Sequence, residues 1–171
     1  KPGWLVFNRG LHDEMMDGLL LVNKPPGMTS HDVVALLRRR LGQRRIGHSG
    51  TLDPMAQGLL ILLLGSATKR QQELQGHEKT YAATLELGAQ TDTGDATGRV
   101  IRRAPIPVLE RAGVTALLAS LIGSHSQTPP TYSAVKVRGR PSYWWARRRQ
   151  PVALQPRTVH VFELTLQDLT P

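Results

Sequence analysis

The chain has 171 residues, with 22 lysines and arginines against 13 aspartates and glutamates, and it has no cysteine. The missing thiols exclude a disulfide-stapled module and any Cys-ligated zinc or iron–sulfur site. The length allows one good-sized domain whose core needs no staples. The formal charge of +9 rests on arginine, because five lysines out of 22 basic residues leave 17 arginines. Arginine's planar fork pairs bidentately with phosphate and stacks on bases. Arg38, Arg39, Arg40, Arg44 and Arg45 cluster in RRRLGQRR, and Arg138, Arg140, Arg147, Arg148 and Arg149 in RGRPSYWWARRR. A solvated surface is the plain alternative; two dense clusters in a short chain favour a polyanionic partner.

In chain order, residues 1–18 read as a leader or edge segment of mixed polarity, and Gly18–Val22 as a buried strand halted by the turn of Pro25-Pro26-Gly27. Ser30 is expected to cap a helix with Val33, Val34, Leu36, Leu37 and Leu41 on its apolar face, and Gly42 to end it. IGHSGTLDPMAQG is a glycine-rich loop with a helical turn begun at Asp53-Pro54. Leu59–Leu64 reads as a fully buried strand, followed by a helix through Ala67, Gln71 and Leu74. Thr80–Leu87 alternates as a half-buried strand, and Arg99–Arg103 returns as its hairpin partner. A helix over Leu109–Ile122 follows. The stretch SHSQTPP is irregular, Ser133–Val137 alternates, Ser142–Arg149 is a short helix, and Thr158–Leu166 is a strand. This irregular order gives an α+β fold with a mixed, mostly antiparallel sheet flanked by helices. The longest apolar run, at positions 59–65, is far short of the ~20 residues a spanning helix needs. Asp13 and Glu14 stand where a signal peptide would have its apolar core, so a cytoplasmic chain without membrane contact is expected.

Metal readings fail on spacing: there is no HExxH, and TDTGDATG does not match a calcium loop. No GxxxxGK[ST] marks a phosphate loop either. The densest chemical candidate is GHSGTLDP. Asp53 there is either a helix N-cap or a carboxylate presented in a cleft, kept ionised by amides of the following turn. His48 either meets a phosphate or base or is an ordinary polar loop residue. Tyr81 reads from its alternation as a core strand aromatic. Trp144 and Trp145 are adjacent, so one packs inward while the other is partly exposed, a candidate platform for a base.

NKPPGMTSHDVV, GHSGTLDPMAQGLL, GSATKRQQEL, KTYAATLELGAQTDTGDATG, PPTYSAVKVRGRPSYWWAR and PRTVHVFEL follow one another in this chain. They resemble, in the same order, the motifs of the bacterial tRNA pseudouridine-55 synthase family, over roughly residues 19–166. The resemblance implies isomerisation of a uridine in the tRNA T-loop to pseudouridine: the base is detached, turned and rejoined through carbon, without metal or organic cofactor. Carried onto this sequence, it makes Asp53 the catalytic aspartate. Tyr81 becomes the aromatic that stacks on the flipped uracil, with a share in proton transfer. His48 fills the place the nucleotide leaves. Lys24 and Pro25 back the tyrosine, with Lys24 also placed among the RNA-binding residues. Tyr132 and Lys136 line the RNA, and Arg38, Arg39, Arg40, Arg44, Arg45, Arg147 and Arg148 hold its backbone. Extruding a base costs a few kcal/mol, which such backbone contacts offset.

Three departures qualify what the resemblance implies, the first being that residues 1–18 are longer and more polar than a typical family start. Gln57 stands where a smaller residue is expected in LDPxAxG. The family also continues into a GTYIR-like segment with an aromatic and an arginine that holds the aspartate, then into further strands and often a small RNA-binding domain. On this reading residues 19–171 are the N-terminal portion of a catalytic domain and the fold is incomplete. The family is monomeric, yet a second chain or the further segment would complete the sheet. The alternative function is a catalytically impaired RNA-binding module that acts through its arginine clusters.

Overall fold

Around an uninterrupted apolar run of leucine and isoleucine the chain folds a three-stranded antiparallel sheet with one helix on its face. The computed structural model describes residues 15–133, 135–150 and 152–170; most of the 1–18 leader lies outside them. The chain divides into two compact units, residues 1–82 and 83–171.

In the first unit β1 (Gly18–Lys24), α1 (Ser30–Leu41), β2 (Ile46–His48) and β3 (Gly58–Leu64) are followed by a 3₁₀ turn over Gly65–Arg70 and the short α2 (Gln71–Gln75). The strand order is β1-β3-β2. The antiparallel register sets Leu20 opposite Leu62, Val22 opposite Leu60 and Lys24 opposite Gly58, with Ile46 opposite Leu64 and His48 opposite Leu62 on the other side. Because side chains alternate along a strand, these residues share one face. Val33, Val34 and Leu37 of α1 join that core with Val22, Ile46, Leu60, Leu62 and Leu64. The strands are not buried on both faces along their whole length, as the sequence reading has them: the end of β3 is, with Leu62, Leu63 and Leu64 all buried, but the rest is not. Leu19, Leu21 and Leu59 point away from α1 and are 48%, 65% and 61% exposed. A run of leucines has no polar position to mark the wet face.

Thr29, not Ser30, caps α1. Its hydroxyl accepts from the Asp32 amide at 3.0 Å, and the Asp32 carboxylate accepts from the Thr29 amide at 2.9 Å, a reciprocal capping box. Gly42 ends the helix with φ +64°, the left-handed conformation glycine adopts without penalty.

In the second unit all strand pairs are again antiparallel: β4 (Ala89–Thr91) with β5 (Val100–Arg103), β6 (Gly123–Gln127) with β9 (Arg157–Val161), and β7 (Lys136–Val137) with β8 (Arg140–Pro141). The helices are α3 (Arg111–Ser120) and α4 (Ser142–Ala146). With the first unit they make an α+β fold. Three expectations are corrected. Thr80–Leu87 is no strand and is exposed throughout, since alternation supplies a pleat but no partner ladder. The hairpin is formed instead by Ala89–Thr91 with Val100–Arg103. The SHSQ segment, read as irregular, is β6, whose serines and histidine carry no hydrophobic signal. Among the described residues no helix is long and apolar enough to cross a membrane.

Candidate active site

Asp53 lies in the loop between β2 and β3, at the surface, and both of its neighbours are tied inward. On one side, Leu52 packs against the core. Its amide donates to the Ser30 hydroxyl at 2.9 Å, and that hydroxyl is 3.3 Å from the Leu52 carbonyl. On the other side, the Pro54 carbonyl accepts from the Gly27 amide at 2.7 Å and lies 3.4 Å from the Lys24 ammonium. The Ala56 amide closes a turn onto the Asp53 carbonyl at 3.1 Å. That turn does not grow into a helix, so Asp53 is not an N-cap. Among the described residues no hydrogen bond reaches its carboxylate, so the expected support from following amides is also absent. What the fold fixes at Asp53 is the main chain.

Lys24 is fully buried. Its ammonium donates to the Met28 carbonyl at 2.7 Å and the Pro25 carbonyl at 2.9 Å, besides the longer approach to Pro54. Burial pushes its pKa below the ordinary lysine value, and the negative charge of Asp53 partly opposes that shift. The expectation of an RNA contact at Lys24 is therefore corrected. A side chain with no exposed surface braces the NKPPGM turn against the LDP turn instead.

His48, at the end of β2 on the core face, is half-buried, and among the described residues its buried Nδ1 has no hydrogen-bond partner. Burial lowers its pKa, a backbone hydrogen bond with Gly50 opposes this, and the nearby His31 adds to the lowering. The ring is thereby biased toward the neutral form, suited to packing and stacking more than to pairing with a phosphate.

The first arginine cluster divides by use. Arg38 donates to the Ile46 carbonyl at 2.6 Å and Arg45 to the Thr68 hydroxyl at 3.0 Å. Arg39, Arg40 and Arg44 face solvent, and among the described residues no hydrogen bond engages their side chains. Tyr81 is 66% exposed, so it is not the core aromatic that its alternation suggests. In the second unit Tyr132 and Lys136 are exposed. The Arg148 guanidinium stacks over Trp144 at 3.6 Å from the ring centroid, Arg140 approaches the same ring at 5.4 Å, and Arg147 lies over Tyr143 at 5.5 Å. Trp144 and Trp145 meet edge to face, both half-buried. Trp145 donates from Nε1 to the Val137 carbonyl at 3.1 Å and lines a recess of about 430 Å³ with Arg138 and Gln150.

Ser30 and Gly27 are the site residues that sequence reasoning missed. The signal was present: Thr29-x-x-Asp32 is a capping box, which moves Ser30 inside the helix and leaves its hydroxyl free. Among the described residues no three His, Asp or Glu side chains gather as a metal site.

The family model of the TruB family pseudouridylate synthase N-terminal domain matches residues 38–171. The chain is 52% identical over 152 residues to a tRNA pseudouridine synthase B of Opitutus terrae, which covers 88% of this chain and 63% of the relative. It is 49% identical over 154 residues to that of Geobacillus kaustophilus, covering 90% and 54%. It is 48% identical over 152 residues to that of Thermobifida fusca, covering 89% and 52%. The chain thus spans between about half and just under two thirds of the length of these relatives. A chain in the crystal structure of a Cbf5–Nop10–Gar1 complex aligns over 71% of this chain and 31% of its own length, at 28% identity and a TM-score of 0.46.

Proposed function

The chain belongs to the TruB family of pseudouridylate synthases, and on that premise we propose that it takes part in converting a T-loop uridine of tRNA to pseudouridine, with Asp53 as the catalytic carboxylate. The observation that carries this reading is the Asp53 loop. A solvent-facing carboxylate sits between two residues whose main chains are fastened in place, to the buried Ser30 on one side and to Gly27 and the buried Lys24 on the other. A carboxylate that must meet an extruded nucleotide needs both properties, access and a fixed origin.

The chemistry is an isomerisation, so no redox partner enters the balance. The bond between uracil N1 and the ribose breaks, the base turns, and a bond from C5 to the ribose forms. C5 gives up its proton to solvent, and N1 regains one. In this scheme Asp53 forms a transient bond to the ribose or the base, which breaks again to return the free carboxylate once the base has been rejoined through C5, and Tyr81 stacks on the extruded uracil. A neutral His48 fills the gap left in the loop. Arg39, Arg40 and Arg44, with Tyr132, Lys136, Arg147 and Arg148, bind the RNA backbone and offset the cost of extrusion. Release of tritium from a T-loop transcript labelled at uridine C5 tests the proposal. Asp53→Asn is expected to abolish release; release at the wild-type rate would overturn the assignment.

A second reading, an RNA-binding module without turnover, is favoured by the lack of any protein donor to the Asp53 carboxylate among the described residues. It predicts salt-sensitive tRNA binding, unchanged by Asp53→Asn, with no tritium released.

A further inference from the structure

We infer that Ser30 is a positioning residue for Asp53 that acts through the main chain of Leu52; this inference rests on Asp53 being the reacting carboxylate. Ser30 is 1% exposed and occupies the first turn of α1. Thr29 already supplies the helix cap, so the Ser30 hydroxyl has no capping duty. It closes instead on both polar groups of a single residue, the Leu52 amide at 2.9 Å and the Leu52 carbonyl at 3.3 Å. Leu52 immediately precedes Asp53, and its side chain packs on the core.

Two features make this more than interior satisfaction of a serine. The hydroxyl sits only one carbon away from the backbone of a twelve-residue helix, so Leu52 inherits the rigidity of a packed element instead of loop mobility. The residue also works against local preference. Alanine is the better helix former in a helix interior and Thr29 already holds the cap, so neither propensity nor capping gives a reason for a serine there. Without the hydroxyl, Leu52 keeps its apolar packing and loses the bonds that set the direction of the chain into Asp53.

Two variants of the full chain test the inference: Ser30→Ala, which removes the hydroxyl, and Ser30→Thr, which keeps it. In Ser30→Ala, amide hydrogen exchange at Leu52 should accelerate about tenfold or more, while exchange at Val34 and Leu37 stays unchanged. Its kcat for tritium release should fall on the order of ten- to a hundredfold with KM for the transcript unchanged, the pattern of a displaced reacting group. Ser30→Thr should restore both. Unchanged exchange at Leu52, or faster exchange with unchanged kcat, overturns the inference. Wild-type turnover in Asp53→Asn overturns the catalytic reading itself. The two failures are distinguishable, because exchange at Leu52 does not depend on turnover.

Discussion

Replacing Lys24 by methionine keeps the length and apolar stem of the side chain and removes only the ammonium, so its effect isolates the brace between the two turns. The ammonium makes two bonds of ordinary length, to Met28 at 2.7 Å and Pro25 at 2.9 Å, while the 3.4 Å approach to Pro54 is counted as weak. Hydrogen bonds from charged donors contribute about 1.5–3 kcal/mol each, so the gross loss is about 3–6 kcal/mol. The opposing term is real: burying an ammonium costs several kcal/mol, and the lowered pKa of Lys24 shows that desolvation outweighs the pull of Asp53. Methionine escapes that cost but leaves the carbonyls without a donor. The balance is a net destabilisation of about 1–3 kcal/mol. At roughly 2–4 °C per kcal/mol for a chain of this size, the melting transition should fall by about 2–12 °C. Calorimetry reads this directly, and faster amide exchange at Gly27 would place the loosening at the turn. A Lys24→Met protein as stable as the wild type, with Gly27 exchange unchanged, would refute the reasoning.

Replacing Arg39, Arg40 and Arg44 together by alanine should reduce the slope of log affinity against log salt for a T-loop RNA by about 2–3, with little change in melting temperature. An unchanged slope would remove these three side chains from the RNA surface. Arg38→Ala should differ by lowering thermal stability as well, because its guanidinium holds the Ile46 carbonyl. His48 supplies a pH test. Its folded-state pKa lies below the ordinary value of 6.5, so as pH falls the unfolded chain takes up the proton first. Its share of stability is complete above about 6.5 and is lost progressively below that pH, toward the folded pKa. Urea unfolding between pH 7.5 and 5 should show this decline in the wild type and a flatter profile in His48→Gln.

The elements legible in the sequence are those whose boundaries carry chemistry of their own. The helix from 30 to 41 was readable from its apolar spacing and from Gly42, and the strand at 58–64 from its length and flanking glycine. Where boundary chemistry was ambiguous the reading slipped by one residue, assigning the cap to Ser30 when the pair Thr29 and Asp32 holds it. Burial of the strands is not legible, because the leucines of β3 look alike in sequence although Leu59 is exposed and Leu63, on the same face, is fully buried. Thr80–Leu87 shows the limit of periodicity: the alternation is there, but a strand is a property of two segments, and its partner is not written in the segment itself. At the site, Asp53 could be singled out by its glycine-marked loop. Nothing local showed that the groups fixing it come from residues 24–30.

That last dependence changes what the two motifs are. NKPPGMTS and GHSGTLDP are separated by more than a helix in sequence, yet the bonds between them span 22, 27 and 30 residues and all fall on the neighbours of Asp53. Lys24, Gly27 and Ser30 each contribute a different kind of group — ammonium, backbone amide and hydroxyl — and each is aimed at main chain, none at the carboxylate. Holding the peptide on either side leaves both oxygens open and still fixes where they start. Two motifs that look like separate turns therefore form one structural unit, and the basic residue buried within it serves that unit; the arginines left facing solvent on the first unit are the ones available to a polyanion.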